Sequence, residues 1–145
     1  DNPSDILKQS KKREIESKIV IKGSERKELP QLLSICDASI FFIKPLYSKK
    51  ASSPTKMAEL LGMGIPLICN TGVGDTDEIV KKENVGLVAQ EFTERSYREL
   101  VESFDNLLSI PKMQLRSVAQ KYFSLEIGVK QYAEIYKKIL ADYEH

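Results

Sequence analysis

Apolar residues fall into short continuous runs separated by helix-spaced stretches as far as residue 92, and into helical spacing alone after it. Residues 4–17 are polar and lysine-rich, with Ile6, Leu7 and Ile15 as their few apolar contacts, and predict a surface helix. KIVIKG at 18–23 predicts a short strand closed by glycine. ELPQLLSICDA at 28–38 sets Leu29, Leu32, Leu33 and Cys36 at i, i+3, i+4 and i+7, which predicts a helix. ASIFFI at 38–43 reads as a second strand, apolar enough throughout to be covered on both faces of a parallel sheet. A basic loop, a helix from residue 53 and a strand at IPLICN (65–70) follow. GVGD at 72–75 is a glycine-rich turn, DEIVKK a short helix and VGLVA (85–89) a fourth strand. Three helices are predicted beyond, over about 93–109, about 111–122 with Pro111 at its start, and about 125–141. The last carries Val129, Tyr132, Ala133, Ile135, Tyr136, Ile139 and Leu140, a wide stripe expected to lie against another surface.

Strands alternating with helices predict an α/β fold, a Rossmann-like doubly wound parallel sheet with C-terminal helices. Such sheets hold ligands at the carboxyl ends of their strands. That rule selects the loops 44–53, 70–76 and 23–28.

The helix after residue 52 has strong start signals. Ser53 suits an N-cap, because its hydroxyl can accept an orphan backbone N–H, and Pro54 suits the first helical position, having no N–H to leave unpaired. Met57, Leu60 and Leu61 then share one face, with Lys56 and Glu59 side by side along its edge. A lysine in the first turn opposes a helix dipole worth about 0.3–1 kcal/mol, and lysine before glutamate is the weaker order for an ion pair. An anion in front of the helix removes the conflict. First-turn amides, the hydroxyls of Ser53 and Thr55 and the Lys56 ammonium would all face it, with phosphate the natural candidate. Glu59, one turn further in, could accept two hydroxyl hydrogens from a sugar ring, and a nucleotide presents a diphosphate and a ribose at about that separation. A solvated surface pair of Lys56 and Glu59 is the alternative reading.

Composition narrows the classes further. The chain has 145 residues, 41% hydrophobic and 30% charged, enough for one globular domain and too few for two ordinary ones. Lysine and arginine number 22 against 21 acids, so no global field marks a nucleic-acid binder. Cys36 and Cys69 sit in apolar runs and read as reduced core residues. With His145 the sole histidine and two separated cysteines, neither a metal site nor a cofactor is expected. No apolar run reaches the roughly 20 residues of a membrane span, and the opening residues lack the pattern of a signal peptide. The expected compartment is the cytoplasm.

Several features carry two readings at once. Gly72 and Gly74 could let backbone amides approach a phosphate, or only turn the chain. Asp75, Asp77 and Glu78 open a helix, where acids are favoured by the dipole, and capping is the better reading than a metal cluster. Lys44, Lys49 and Lys50 add positive potential to the predicted ligand loop or form a solvated surface. Lys8, Lys11, Lys12 and Arg13 suit either contact with anionic lipid at the inner membrane face or an exposed helix face.

SSPTKMAELLGMGIPLICNTGVGDTDEIVKKENVGLV resembles the donor-binding segment in the C-terminal domain of GT-B glycosyltransferases, in the large retaining class (family 4, group 1) of polysaccharide and capsule enzymes. ELPQLLSICDASIFFIKP resembles the helix and strand before the donor loop, and FSLEIGVKQYAEIYKKIL the closing helix. The resemblance implies that Glu59 holds ribose hydroxyls of a nucleotide sugar, that residues 53–56 approach its diphosphate, and that the glycine loop 72–75 lies next to sugar and phosphates. Many relatives place another glutamate eight positions before Glu59, where this chain has Ala51, so no catalytic residue is assigned.

By the same resemblance the chain begins after the first two strands of that domain, KIVIKG matches the third, and the acceptor belongs to a missing N-terminal domain. Without the first two strands ASIFFI would be left with an open edge. The expectation is that KIVI re-pairs with it, or that another chain covers the edge, for instance in a homodimer. The competing class is a non-enzymatic Rossmann-like module binding a nucleotide or a protein partner. A GT-B-type sugar epimerase is disfavoured for want of an identifiable acid and base.

Overall fold

The computed structural model describes residues 2–50 and 52–143, and side chains as far as residue 141. Ala51 and His145, which figure in the sequence reading, lie outside the described residues. The chain divides into two units, residues 1–32 and 33–145.

In the first unit, α1 (Pro3–Lys12) starts on Asn2, whose side-chain oxygen accepts from the Ser4 amide at 3.1 Å, with Pro3 opening the helix. The helix stops short of the predicted residue 17. Glu14 turns left-handed at φ 56°, and the Ile15 amide folds back onto the Ser10 carbonyl. A single 3₁₀ turn, Glu16–Lys18, follows. KIVIKG forms no strand, correcting that expectation, and Val20 is 89% exposed. Its branched side chains favour extended backbone, but with no ladder and no packed face the preference has nothing to act on. A second 3₁₀ turn, Arg26–Glu28, is closed by a reciprocal capping box between Glu25 and Glu28 and leads into α2 (Leu29–Leu33).

Helix α2 is shorter than the predicted 28–38. The Cys36 amide bonds the Leu33 carbonyl in a tightened turn, and Ile35 and Cys36 are turned to solvent. The apolar spacing had counted Cys36 as core, and the exit turn rotates it off that face.

The second unit holds a three-stranded parallel sheet of β1 (Ser39–Ile40), β2 (Leu67–Asn70) and β3 (Gly86–Ala89) in the order β1-β2-β3. Ser39 pairs with Leu67, and Leu67 with Gly86. Parallel strands need crossovers, and α3 (Thr55–Met63) and α4 (Thr76–Glu83) supply them. One sheet face packs on the core. Leu67 and Cys69 from β2 meet Met57, Leu60 and Leu61 of α3, Ile79 and Val80 of α4, and Leu115 and Val118 of α7 (Lys112–Phe123), all buried.

The other face meets α5 (Glu94–Glu102) and α6 (Phe104–Leu108), which Ser103 separates where one helix was predicted. Here Ile40, Phe42, Ile68, Tyr97, Val101 and Phe104 line an apolar groove of about 320 Å³, with the Phe42 and Tyr97 rings stacked 5.8 Å apart. Ile40 is 63% exposed, and among the described residues β1 is the last strand of the sheet. KIVI does not re-pair with it, since it is not a strand at all.

Helix α7 is pinned to the end of α4. Glu83 accepts from the Tyr122 hydroxyl at 2.6 Å and from Lys121 Nζ at 2.8 Å, while Gln114 donates to the carbonyls of Glu83 and Asn84. Helix α8 (Leu125–Tyr143) meets α7. Its apolar stripe is exposed within this chain, at Val129, Tyr132, Ile135, Tyr136, Ile139 and Leu140. No described helix is long and apolar enough to cross a membrane.

Candidate functional site at the carboxyl ends of β1 and β2

Two of the three loops selected from the sequence meet at one end of the sheet. Past Ile40 the chain stays alongside β2: the Phe41 amide bonds the Ile68 carbonyl at 3.0 Å. Asn70 then continues the pairing with its side chain. Its Oδ1 accepts from the Ile43 amide at 2.7 Å, and its Nδ2 donates to the carbonyls of Ile43 at 2.9 Å and Thr71 at 2.8 Å. Buried at the tip of β2, this amide satisfies both backbone groups of Ile43 and fixes where the 44–53 loop begins.

The far end of that loop rests on the glycine turn. Gly74, at φ +51°, donates its amide to the Lys49 carbonyl at 3.0 Å and presses its α-carbon onto the Ser52 carbonyl, where no β-carbon would fit. Gly72, at φ +80°, backs onto the Pro45 ring in the same way, with a built β-carbon 3.0 Å from Pro45 Cβ. Both glycines are required by left-handed backbone and by close approach. The third selected loop, 23–28, belongs to the first unit.

The start of α3 differs from expectation by one residue. Pro54, with ψ 118°, stands at the N-cap position and Thr55 is the first helical residue. Ser53 is therefore one position too early for its hydroxyl to reach the first-turn amides, and no side chain caps this end. Ser53 is exposed. Together with Lys50, Ser52, Gly74, Asp75 and Glu78 it lines a cleft of about 380 Å³.

The predicted residues separate into three groups. Ser53 and Gly74 share the cleft, while Gly72 and Lys44 lie at the root of the loop, Lys44 exposed just beyond Ile43. Thr55, Lys56 and Glu59 are exposed on the first turns of α3 and are not part of the described cleft lining.

Asp75, Asp77 and Glu78 open α4, where the sequence reading put them. Asp75 holds the N-cap position but its side chain makes no capping hydrogen bond, whereas Asp77 pairs with Lys81 at 3.2 Å. Asp75 and Glu78 also border the cleft. The signal that could have found them is position, two acids directly after a glycine turn that follows a buried strand.

Cys69 lies beneath this site and supplies no nucleophile. Burial, reinforced by the Asp77 carboxylate, pushes its thiol up to about 12. No cluster of three or more histidine, cysteine or acidic residues suited to a metal occurs among the described residues. The cleft lining brings together one lysine, two serines, a glycine and two acids. No family model, curated protein or solved structure matches this chain.

Proposed function

We propose that the chain is the nucleotide-sugar-binding part of a glycosyltransferase, a partial GT-B C-terminal domain of Rossmann-like, doubly wound type. The complete protein would transfer a sugar from a nucleoside-diphosphate sugar to a polysaccharide or lipid-linked acceptor held by an N-terminal domain, in the cytoplasm or at the inner membrane face. One observation carries the reading: the loops 44–53 and 70–76, with the first turn of α4, meet in a polar cleft at the carboxyl ends of β1 and β2, beside the uncapped start of α3. An uncapped helix start with a lysine in its first turn suits a diphosphate, and Glu59 one turn on suits ribose hydroxyls. Transfer requires both substrates enclosed and water excluded, so the isolated chain binds without turnover.

The second reading, a nucleotide- or partner-binding module without chemistry, is favoured by the alanine at position 51 in place of a carboxylate. Titrating UDP, GDP, UDP-glucose and GDP-mannose into the chain tests the first. Binding at millimolar or lower concentration is expected, weakened about tenfold by Glu59→Ala, the scale of one hydrogen-bonded carboxylate. Lys49→Ala is expected to weaken it less. No binding, or equal losses in the two variants, would overturn the proposal.

A further inference from the structure

Every residue of α8 from 129 to 141 is exposed, so most of this helix stands clear of its own chain. Its sequence is not that of a solvated helix. Leu125, Val129, Tyr132, Tyr136 and Ile139 recur at alternating intervals of four and three residues, with Leu125 82% and Tyr132 68% exposed. Ile135 and Leu140 flank this seam, one on each side, and Lys130, Glu134, Lys137 and Lys138 occupy the opposite face. A helix of this length is marginal alone in water, and burial of its apolar face is what sustains such an element.

The four-three spacing suits a second helix, because an unbroken period of 3.5 residues is the seam of one helix packed on another. Charge suits a second copy running antiparallel. Glu126 stands at the amino end of the seam, and Lys137 and Lys138 toward its carboxyl end, all three exposed. Two parallel copies would set each of these beside its own counterpart. An antiparallel crossing sets Glu126 of each copy beside the lysine turn of the other, opposes the helix dipoles, and stacks Val129 on the partner's Ile139 and Tyr132 on the partner's Tyr136. One two-fold axis then repeats every contact, as a closed dimer requires.

We infer that α8 is a homodimerisation helix, pairing antiparallel with α8 of a second copy through this seam. A helix pair of this length covers on the order of 1,000 Å² in all, the lower bound for a specific interface, which corresponds to a micromolar rather than a nanomolar dimer. The inference is independent of the proposed function, since no residue of the cleft lining belongs to α8.

Sedimentation equilibrium of the chain over a range of concentrations is the test. A monomer–dimer equilibrium in the micromolar range is expected, weakened about a hundredfold by Tyr132→Glu/Ile139→Glu, which puts charges into the seam. Charge reversal tests the orientation. At low salt, Glu126→Lys alone and Lys137→Glu/Lys138→Glu alone are each expected to weaken the dimer about threefold to fivefold, and the triple reversal to restore it, which also reports that the reversed chains fold. Reversals without effect, or a triple variant no better than its parents, overturn the antiparallel pairing, and a dimer that survives Tyr132→Glu/Ile139→Glu overturns the seam. A chain that stays monomeric at about 100 μM overturns the whole inference. Flotation of that monomer with phosphatidylcholine–phosphatidylglycerol vesicles would then assign the stripe to a lipid surface, and its absence to a different protein surface.

Discussion

Asn70 and Ile43 are joined as though both belonged to the sheet, the side-chain amide of one taking both backbone groups of the other at 2.7 and 2.9 Å. The ladder between β1 and β2 thus extends past the point where backbone pairing stops, and it delivers the chain to the start of the 44–53 loop. Asn70→Ala removes both bonds at a buried site. A loss of about 2–4 kcal/mol is expected, from two unmade hydrogen bonds and the polar groups left behind. Urea unfolding measures it. A loss below about 1 kcal/mol would mean that water replaces the amide there without penalty.

Gly74→Ala is expected to act on both stability and the cleft. Its left-handed backbone disfavours any side chain, and the new methyl would meet the Ser52 carbonyl, a backbone atom that cannot swing aside. Relief requires the two loops to part. The expected cost is about 1–3 kcal/mol, the range for enforced backbone strain, with loss of ligand binding at temperatures where the chain remains folded. Thermal melting and titration on the same sample separate the two effects, and unimpaired binding would show that the loops need not touch.

Glu83 makes the attachment of α7 to α4 depend on pH. Hydrogen bonds from Lys121 and from Tyr122, in that order of size, hold its carboxyl below the usual range, and the same pairing raises Lys121 above its own. A carboxyl lowered on folding contributes stability above its unfolded value and loses that contribution as pH falls through the folded one. The raised lysine contributes below its ordinary range and stops contributing as pH rises through the higher value. The pin is therefore complete through neutral pH and fails first in acid. Glu83→Gln is expected to flatten the acid limb of stability against pH, and Tyr122→Phe to make it shallower. Stability curves from pH 2 to 7 that keep the same shape in all three chains would refute the coupling.

Elements whose patterns answered to local physics were legible in the sequence. Leu67–Asn70, Gly86–Ala89, α4 and α7 lie close to where apolar runs, glycines and Pro111 put them, because each of these signals acts within a few residues. The meeting of the 44–53 and 70–76 loops was legible too, from the rule for parallel sheets. KIVIKG was misread because a strand needs a neighbour, which no local pattern supplies. Cys36 was misread because apolar spacing carries no mark of where a helix ends. Ser53 and Gly74 lie along the cleft, and the sequence reading did not place Asp75 and Glu78 beside them. Acids at a helix start satisfy the dipole wherever they point, and only the fold distinguishes Asp77, tied to Lys81, from its two neighbours.

All three strands run the same way, and this has a consequence for synthesis. Among the described residues no hairpin joins these strands, so β1 must wait for α3 to emerge before β2 can come alongside, and Asn70 for β2 to be complete before it can grasp Ile43. The buried face waits longer still, because Leu115 and Val118 arrive with α7. A nascent chain arrested before residue 112 would therefore carry β1, β2, β3 and both cleft loops with the core beneath α7 uncovered, and chaperones would meet it in that state.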